Sequence, residues 1–445
     1  MPFDHLIHQA LLLTMEPRSR PLAHGFVAIQ GTEIVAVGQA EDRENLPPAR
    51  QYWDMNGDLV MPGLINNHCH AAMTLFRGLA DDLPLDEWLQ QHIFPAEARW
   101  VDYEFVYTGT LLAAAELIRG GVTAVADAYF WETAARQAFA ESGLRGVAAQ
   151  GVIDFPAPGV PNPTDNIRVA QEFIDSGSAS SPPLITSTLF CHSPYTCSAP
   201  TLKQAKDLTR QRGLSFFIHL AETRWEEAQI RRQTGLSPVA YLDSLGILDE
   251  MTVAAHAVWV DPADQEILAR RGVKICHCPE CNLKLASGVA PIPDLLARGL
   301  VIGLGTDGAA SNNNLNIFGE MNLAAKLHKA IRLDPTVMSA REVVELATSK
   351  GAQVLDLGEI TGTLTPGKCA DLIVVNLHQP HLTPLYDPYS HLVYAAAASD
   401  VQHVMVHGRW LMLDRRLLTL DWPTIKRKAL ALAERINSTA ARFPA

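Results

Sequence analysis

Short apolar runs alternate with amphipathic stretches from residue 62 onward, and this alternation predicts the fold. The amphipathic stretches, such as TGTLLAAAELIRGG, have helical periodicity, whereas the runs are apolar on both faces, as in parallel strands that helices cover. Eight such units in series predict an α/β fold, a (β/α)8 TIM-like barrel over residues 62–366. The strand candidates are GLINNHCHA (63–71), VTAVADAY (122–129), GVAAQGVID (146–154), PLITSTLFCHS (183–193), LSFFIHLAE (214–222), MTVAAHAV (251–258), GVKICHCP (272–279) and LVIGLGTDG (300–308).

Both ends of the chain carry shorter runs that alternate between apolar and polar positions. Residues 1–61 contain GFVAIQGTEIVAVG and QYWDMNGDLV, and residues 367–445 contain GKCADLIVVNL and VQHVMVHGRWLML. This alternation with tight turns is typical of antiparallel strands. We therefore expect one small β-sandwich domain built from both chain ends, followed by a C-terminal helix in TIKRKALALAERINSTAARF.

Composition and charge narrow the class of protein. With 48% hydrophobic residues among 445, the chain can bury a large core. A net charge of −12 repels phosphate backbones, which argues against binding to nucleic acid. We expect no secretory signal, and the chain has no apolar run of about 18 residues that could span a membrane. The seven cysteines lack the spacing of a disulfide scaffold. We expect a cytoplasmic protein that binds a small molecule and neither nucleic acid nor membrane.

Polar side chains cluster where the predicted barrel strands end. His68 and His70 end the first strand, and side chains two apart in a strand point to the same side. His219 ends the fifth strand, His256 the sixth, and Asp307 the eighth. Because a barrel gathers the carboxyl ends of its strands on one rim, these residues predict a metal site there.

We expect one divalent ion, Zn²⁺ or alternatively Fe²⁺, held by His68, His70, His219 and Asp307. Two-metal barrels often bridge their ions with a carboxylated lysine from a middle strand. This chain has no lysine before Lys203, so its first four strands cannot supply that ligand. The site is therefore predicted to be mononuclear, with an open position for water.

Three residues are predicted to carry the proton transfers. A divalent metal lowers the pKa of bound water from ~15.7 to about 7–9, and Asp307 can accept the proton that this water loses. Glu222 lies three residues beyond His219, where the strand becomes a loop, and is placed to shuttle a proton to the substrate. His256 is expected to hydrogen-bond the attacking oxygen.

The segment CHCPEC (276–281) resembles a zinc knuckle in its cysteine spacing. It has three cysteines within six residues, but the chain has no second cysteine pair to complete such a site, and no H-x-E precedes it as in the zinc deaminases that act on nucleic-acid bases. We expect the cysteines to pack at the end of a strand.

Four motifs resemble the mononuclear nucleobase-deaminase branch of the amidohydrolase superfamily, in order along the chain. They are PGLINNHCHAAM, HLAET, AAHAV and GLGTDGAASNN. Further segments are similar to the 5-methylthioadenosine/S-adenosylhomocysteine deaminase family, namely MTLFRGLADDLPLDEWLQQHIFPAEARW, CHSPYTCS, HCPECNLKLASG and TDGAASNNNLNIFGEM. The resemblance implies zinc or iron, attack at C6 of adenine and release of ammonia. Cys281 stands where relatives commonly have serine, and we expect little effect.

The resemblance also implies a set of substrate contacts. Glu97 is expected to accept hydrogen bonds from the ribose hydroxyls, Trp88 to line the pocket, and His192 and Glu222 to reach the nucleoside. Some relatives place an arginine where this chain has Gln150, before the GVID element, and we expect Gln150 to contact the 5′ end of the substrate in the pocket. Because glutamine adds no charge for the carboxylate of S-adenosylhomocysteine, we expect 5′-methylthioadenosine to be preferred over S-adenosylhomocysteine and adenosine. Arg168 is the alternative cation for that carboxylate.

Two other readings compete with this one. A deaminase or hydrolase of the same branch, acting on guanine, an oxidised purine or a chlorinated triazine, would share the metal site but would have no ribose for Glu97. A non-catalytic scaffold would be expected to have lost metal ligands, and all four are present here. We expect a homo-oligomer, either a dimer or a tetramer.

Overall fold

The computed structural model describes residues 2–177 and 184–440. Pro183 of the fourth strand candidate, part of the loop before it and the last three residues of the predicted C-terminal helix lie outside these ranges. The strands are β1 Phe3–Leu12, β2 Leu22–Gln30, β3 Glu33–Gln39, β4 Ala49–Asp54, β5 Leu59–Pro62, β6 Leu64–Cys69, β7 Val122–Tyr129, β8 Arg145–Val152, β9 Ile185–Cys191, β10 Phe216–Leu220, β11 Thr252–His256, β12 Lys274–His277, β13 Ile302–Leu304, β14 Leu372–Val375, β15 Val401–Val406, β16 Arg409–Leu413 and β17 Arg416–Leu417.

Helices follow the barrel strands as the alternation of the sequence predicts. They are α1 Leu85–Glu87, α2 Phe94–Trp100, α3 Tyr103–Arg119, α4 Glu132–Ser142, α5 Asn166–Asp175, α6 Ala199–Arg212, α7 Arg224–Thr234, α8 Pro238–Ser244, α9 Pro262–Arg271, α10 Pro279–Lys284, α11 Ile292–Ala297, α12 Ile317–Arg332, α13 Ala340–Ala347, α14 Ser349–Val354, α15 Pro388–Tyr394 and α16 Trp422–Ala440. A π-helical turn, Trp88–Ile93, joins α1 to α2.

Strands β6 to β13 form one eight-stranded sheet in which each strand pairs with its neighbours in the chain. Every residue of β6, β7 and β8 is buried, as expected for parallel strands covered on both faces. The sheet closes where the amide of Asp307, beyond β13, donates to the carbonyl of His68 in β6 at 2.9 Å. Closure requires glycine at 305, because a Cβ there would lie 2.5 Å from Cys276 Sγ. The predicted barrel is confirmed.

Residues from both chain ends form a second sheet, as predicted, but the sheet is mixed rather than wholly antiparallel, because β1 pairs in parallel with β4 and β5. Its strand order is β17-β16-β15-β14-β5-β1-β2-β3, with β4 paired to β1. Strand β14 pairs antiparallel with β5, and this pairing joins the two ends of the chain. The core of this sheet includes Ile7, Val60 and Met405.

The chain divides into two compact units. One comprises Met1–Asn66, Glu116–Ala124 and Asn316–Thr419, and contains the mixed sheet. The other comprises Asn67–Ala115, Val125–Leu315 and Leu420–Ala445, and contains the strand ends that carry the candidate site. The domain limits drawn from the sequence, 1–61, 62–366 and 367–445, stay a prediction.

Candidate active site

Four side chains from four strand ends meet on one rim of the barrel. His68, His219, His256 and Asp307 each contribute one ligand atom, and these atoms all lie within 4.8 Å of one another. His68 Nε2 is 3.1 Å from His219 Nε2 and 3.3 Å from Asp307 Oδ1. His70 Nε2 joins the group at 3.1 Å from the same Asp307 oxygen. The rim thus brings together every predicted metal ligand, with His256 beside them.

These spacings fit the ligand shell of one small ion. Ligand atoms about 2.0–2.1 Å from a tetrahedral zinc lie roughly 3.3 Å from one another. The three separations given above, 3.1 to 3.3 Å, match that value. Buried nitrogen and oxygen lone pairs that face one another at this distance repel unless a cation lies among them. The donor set therefore fits a single divalent ion.

Hydrogen bonds on the far side of two imidazoles fix which nitrogen faces the site. His70 Nδ1 donates to the carbonyl of Ala128 at 2.5 Å, and His256 Nδ1 donates to Asn282 Oδ1 at 2.9 Å. Each bond leaves Nε2 to point into the cluster, which is the usual way a protein selects the tautomer of a metal-site histidine.

Asp307 is held from three directions. Its amide donates to His68, Ser311 Oγ donates to Oδ2 at 2.6 Å, and Cys281 Sγ donates to the same oxygen at 2.8 Å. Its φ of 61° is a left-handed conformation that non-glycine residues rarely adopt. The result is that Oδ1 alone faces the imidazoles.

The cysteine segment does pack at the strand end, where Cys276, Cys278 and Cys281 form a buried cluster with Ala255. The structure adds a contact that the sequence did not suggest, the hydrogen bond from Cys281 to Asp307. Cys281 therefore supports a candidate metal ligand as well as the core.

The pKa values of the clustered side chains favour the binding of a cation. Burial lowers the pKa of His68, to about 4. Burial acts on His70 too, but the bond to Asp307 outweighs it and raises that pKa to about 9. Burial also raises the pKa of Asp307, yet the two histidines overcome it and hold this pKa well below its ordinary value. Without an ion, the ionised carboxylate keeps a proton on His70, and a bound metal would replace that proton.

Glu222 lies beside the cluster, just beyond the end of β10. Ser287 Oγ donates to Glu222 Oε1 at 3.3 Å, and Glu222 Oε2 is 3.9 Å from His256 Nε2. Burial raises the pKa of Glu222. A carboxyl group with a raised pKa, at the edge of a pocket, suits a residue that both gives and takes a proton.

Glu226, in the first turn of α7, fixes the backbone that carries Glu222. Its buried carboxylate accepts the amide of Ala221 on Oε1 and the amide of Glu222 on Oε2, both at 2.9 Å. Ala221 has a left-handed φ of 51°. The two hydrogen bonds therefore hold a strained turn in place between the strand and the helix.

A pocket opens above the cluster and collects most of the predicted substrate residues. Trp88, Glu97, His192 and Glu222 all line it, together with His70, His219, His256 and Asp307. Tyr129 donates its hydroxyl to Glu97 Oε1 at 2.6 Å. Burial raises the pKa of Glu97 to about 7. The indole of Trp88 is buried and donates to the carbonyl of Ala80, which fixes its plane in the wall.

Gln150 and Arg168 do not join this pocket. Gln150 is buried, but its Oε1 accepts the amide of Glu132 at the start of α4, and its neighbour Gly151 lines the pocket instead. Arg168 is on the exposed face of α5, where it pairs with Asp165 and Glu172. The preference argued from Gln150 therefore has no structural support from that residue.

Several supporting residues were not found from the sequence. They are Tyr129, Glu226, Asn282, Ser287 and Ser311. Only Glu226 had a signal, because Thr223 and Glu226 have the spacing of a helix capping box. The others lie in separate loops and strands, and their contacts depend on the closed barrel.

Within residues 2–177 and 184–440, every helix falls short of the length and apolarity that crossing a bilayer requires.

Comparisons with known proteins agree with this geometry. The model of the amidohydrolase family matches residues 59–411. The 5-methylthioadenosine/S-adenosylhomocysteine deaminase of Syntrophobacter fumaroxidans is 47% identical over 434 residues, which are 98% of this chain and 98% of that protein. The 5′-deoxyadenosine deaminase of Methanosarcina mazei is 41% identical over 98% of this chain and 100% of its own length. The crystal structure of an adenosine deaminase from Xanthomonas campestris with bound zinc has a TM-score of 0.95 and 36% identity, and the match covers 98% of this chain and 99% of that one.

Proposed function

This chain belongs to the amidohydrolase family, and we propose that it is a metal-dependent deaminase of adenosine-type nucleosides. It would hydrolyse the C6–N bond of 5′-methylthioadenosine, S-adenosylhomocysteine or adenosine to give the inosine analogue and ammonia. The observation that carries the proposal is the group of imidazoles and one carboxylate at 3.1 to 3.3 Å, with Glu222 and Glu97 in one pocket. The names of the deaminases to which the chain is similar support the nucleoside class.

The proposed ligands of one Zn²⁺, or alternatively Fe²⁺, are His68, His70, His219 and Asp307. The ion, when bound, supplies a Lewis acid that lowers the pKa of water. His256 is left for a different role, because its Nε2 points toward Glu222 at 3.9 Å while Asn282 holds its other nitrogen. His256 would orient the attacking oxygen by a hydrogen bond.

Glu222 and Asp307 would move the protons. The attacking water loses a proton to Asp307, and Glu222 delivers one to N1 of the adenine ring. The new C6–O bond would form, Asp307 would pass the proton it took from water to the amino nitrogen, and the C6–N bond would break to release ammonia. The C6 hydroxyl would then return a proton to Glu222, which leaves the C6 carbonyl of the inosine analogue. Burial raises the pKa of Glu222, which favours the protonated carboxyl that this step needs.

The proposed substrate residues contact different parts of the nucleoside. Glu97 is the proposed acceptor for the ribose hydroxyls, because it is a buried carboxylate in the pocket wall with a tyrosine hydroxyl on one oxygen. Trp88 and His192 would bound the nucleoside. A free base such as guanine, or a chlorinated triazine, has no hydroxyls for Glu97. Whether 5′-methylthioadenosine is preferred stays a prediction.

Ammonia release from adenosine, 5′-methylthioadenosine, S-adenosylhomocysteine, guanine and 8-oxoguanine tests this proposal directly. We expect the nucleosides to be deaminated and the free bases to be left unchanged. Glu222→Gln should lower kcat at least ~10²-fold with the metal retained. The matched control is Glu227→Gln in the first turn of α7, the helix that follows Glu222, and its carboxylate is paired with Arg231 on the surface. Turnover of guanine in preference to every nucleoside would contradict the proposal.

Metal analysis tests the ligand set. We expect about one equivalent of divalent metal per chain, activity lost on chelation, and activity restored by zinc. Two tightly bound equivalents would refute the mononuclear site.

We also propose that the enzyme acts in the cytoplasm as a homo-oligomer, without nucleic acid or membrane as a partner. The net charge of −12 supports the exclusion of nucleic acid. Light scattering on the purified protein tests the oligomer, and a monomeric mass would contradict it.

A further inference from the structure

A second cavity adjoins the candidate active site, and we call it the outer chamber. Ser287 lines this chamber and also donates its hydroxyl to Glu222, so the chamber begins beside the proposed proton carrier. The two cavities share a wall formed by Leu85, Leu89, Phe94, Tyr195 and Leu285. The second cavity therefore borders the first pocket directly, and is the space nearest to it on this side.

Two cations line the outer chamber, and their surroundings differ. Lys284 Nζ is 2.6 Å from Asp81 Oδ1, so a carboxylate of the protein already matches its charge. The guanidinium carbon of Arg224 lies 4.4 Å from the centre of the Trp259 ring. Among the residues that the structure describes, no carboxylate lies within 4.0 Å of Arg224. Arg224 is exposed to solvent, so water solvates its charge and a carboxylate of a ligand can replace that water.

The position of Arg224 is set by aromatic neighbours that are themselves fixed. Trp259 Nε1 donates to the carbonyl of Ser287 at 2.7 Å, which holds the indole plane. Trp225 packs edge-on against Tyr195 at 5.2 Å and forms another part of the wall. A guanidinium stacked on a ring keeps the N–H groups on its edge available, and that edge matches a carboxylate.

We propose that the outer chamber receives the 5′ substituent of the nucleoside and that Arg224 binds its carboxylate when the substituent is an amino acid, as in S-adenosylhomocysteine. This inference rests on the proposed deaminase function and adds a specificity residue to it. Asp82 lines the same chamber and supplies a carboxylate for the α-ammonium group. Gln150 and Arg168 cannot serve here, because neither reaches the pocket.

Replacing Arg224 with Gln tests the proposal through a ratio of substrates. We expect kcat/KM for S-adenosylhomocysteine to fall about tenfold, as for one charge-assisted hydrogen bond at a half-open site, and that for 5′-methylthioadenosine to change less than about twofold. Arg224→Lys keeps the charge and should retain most of the activity on S-adenosylhomocysteine. With the methyl ester of S-adenosylhomocysteine, which has no carboxylate charge, wild type and Arg224→Gln should be equal.

Arg231→Gln is the matched control, because Arg231 lies on the same helix and is paired with Glu227. It should leave the ratio of the two substrates unchanged. Ammonia from both nucleosides, with a ratio that Arg224→Gln does not alter, would overturn the inference and leave the proposed function standing. Equal losses on both substrates would also overturn it. If the wild type released ammonia from neither nucleoside, the proposed function would fail, and this inference with it.

Discussion

The hydrogen bonds to the outer oxygen of Asp307 should tune the affinity for metal, and they can be changed one at a time. Ser311 Oγ lies 2.6 Å from Asp307 Oδ2 and 2.9 Å from the carbonyl of Gly308. Its single proton is expected to go to the nearer, charged acceptor. Cys281 Sγ is the second donor to that oxygen, at 2.8 Å. Oδ1, the proposed ligand atom, depends on these donors for its direction.

Ser311→Ala removes the stronger donor from a carboxylate that is almost fully buried. A hydrogen bond to a charged group contributes about 1.5–3 kcal/mol, or about 10- to 150-fold in a binding constant. The thiol of Cys281 stays as a weak donor, so we expect the lower part of this range. Affinity for zinc should fall about 10- to 30-fold. At saturating zinc, kcat should stay within about threefold, because the ligand set itself is intact.

Cys281→Ser makes the opposite change, because it strengthens the second hydrogen bond to Asp307 instead of removing one. A hydroxyl is a stronger donor than a thiol and is smaller, so affinity for zinc should be equal or higher. The zinc dissociation constants of both variants are measured by competition with a chelator of known affinity. Ser244→Ala is the control, because Ser244 donates to a backbone carbonyl at an exposed site on α8. If Ser311→Ala left the zinc constant within threefold of wild type, the hydrogen bond could not be supporting a metal ligand.

Two other residues give separate predictions. Because burial raises the pKa of Glu97 to about 7, the ionised fraction grows between pH 6 and 8, and kcat/KM for 5′-methylthioadenosine should rise over that window. Glu97→Gln should lower kcat/KM at least about tenfold and abolish its rise between pH 6 and 8. If the rise persisted in the variant, it would have to come from the titration of another group. Glu226→Gln can satisfy only one of the two amides that Glu226 accepts, so kcat should fall at least about tenfold while metal content stays at the wild-type level. Glu227→Gln is its control, and a Glu226→Gln enzyme with normal kcat would show that the turn needs no such support.

The sequence was sufficient for the barrel and for the residues that face its rim. Eight apolar runs separated by helical patterns leave few folds other than a covered parallel sheet, because each run must be buried on both faces. The carboxyl ends of such strands meet on one rim, so His68, His219, His256 and Asp307 could be grouped before any coordinates were known. The short alternating runs at both chain ends likewise predicted a second sheet built from both ends, in which β5 pairs with β14.

The sequence could not give the direction of a side chain near the end of a strand. Gln150 was expected in the pocket from its place before GVID, but its amide points to the start of α4 and Gly151 lines the pocket. A shift of one residue along a strand moves a side chain to the other face, and motif spacing alone does not fix that register. His256 and Asp307 reach the cluster through left-handed turns, with φ of 74° and 61°, which only coordinates reveal.

What the sequence determined about this protein is the fold, the rim and the chemistry of its ligands, because these follow from periodicity and residue type. What only the tertiary structure decided is the set of contacts between distant segments. Cys281 contacts Asp307 across 26 residues, Asn282 contacts His256 across 26, and Tyr129 contacts Glu97 across 32. Arg224 meets Trp259 in the same way. These pairs come together because the closed barrel brings separate loops to one place, and no local pattern in the chain records which loops become neighbours.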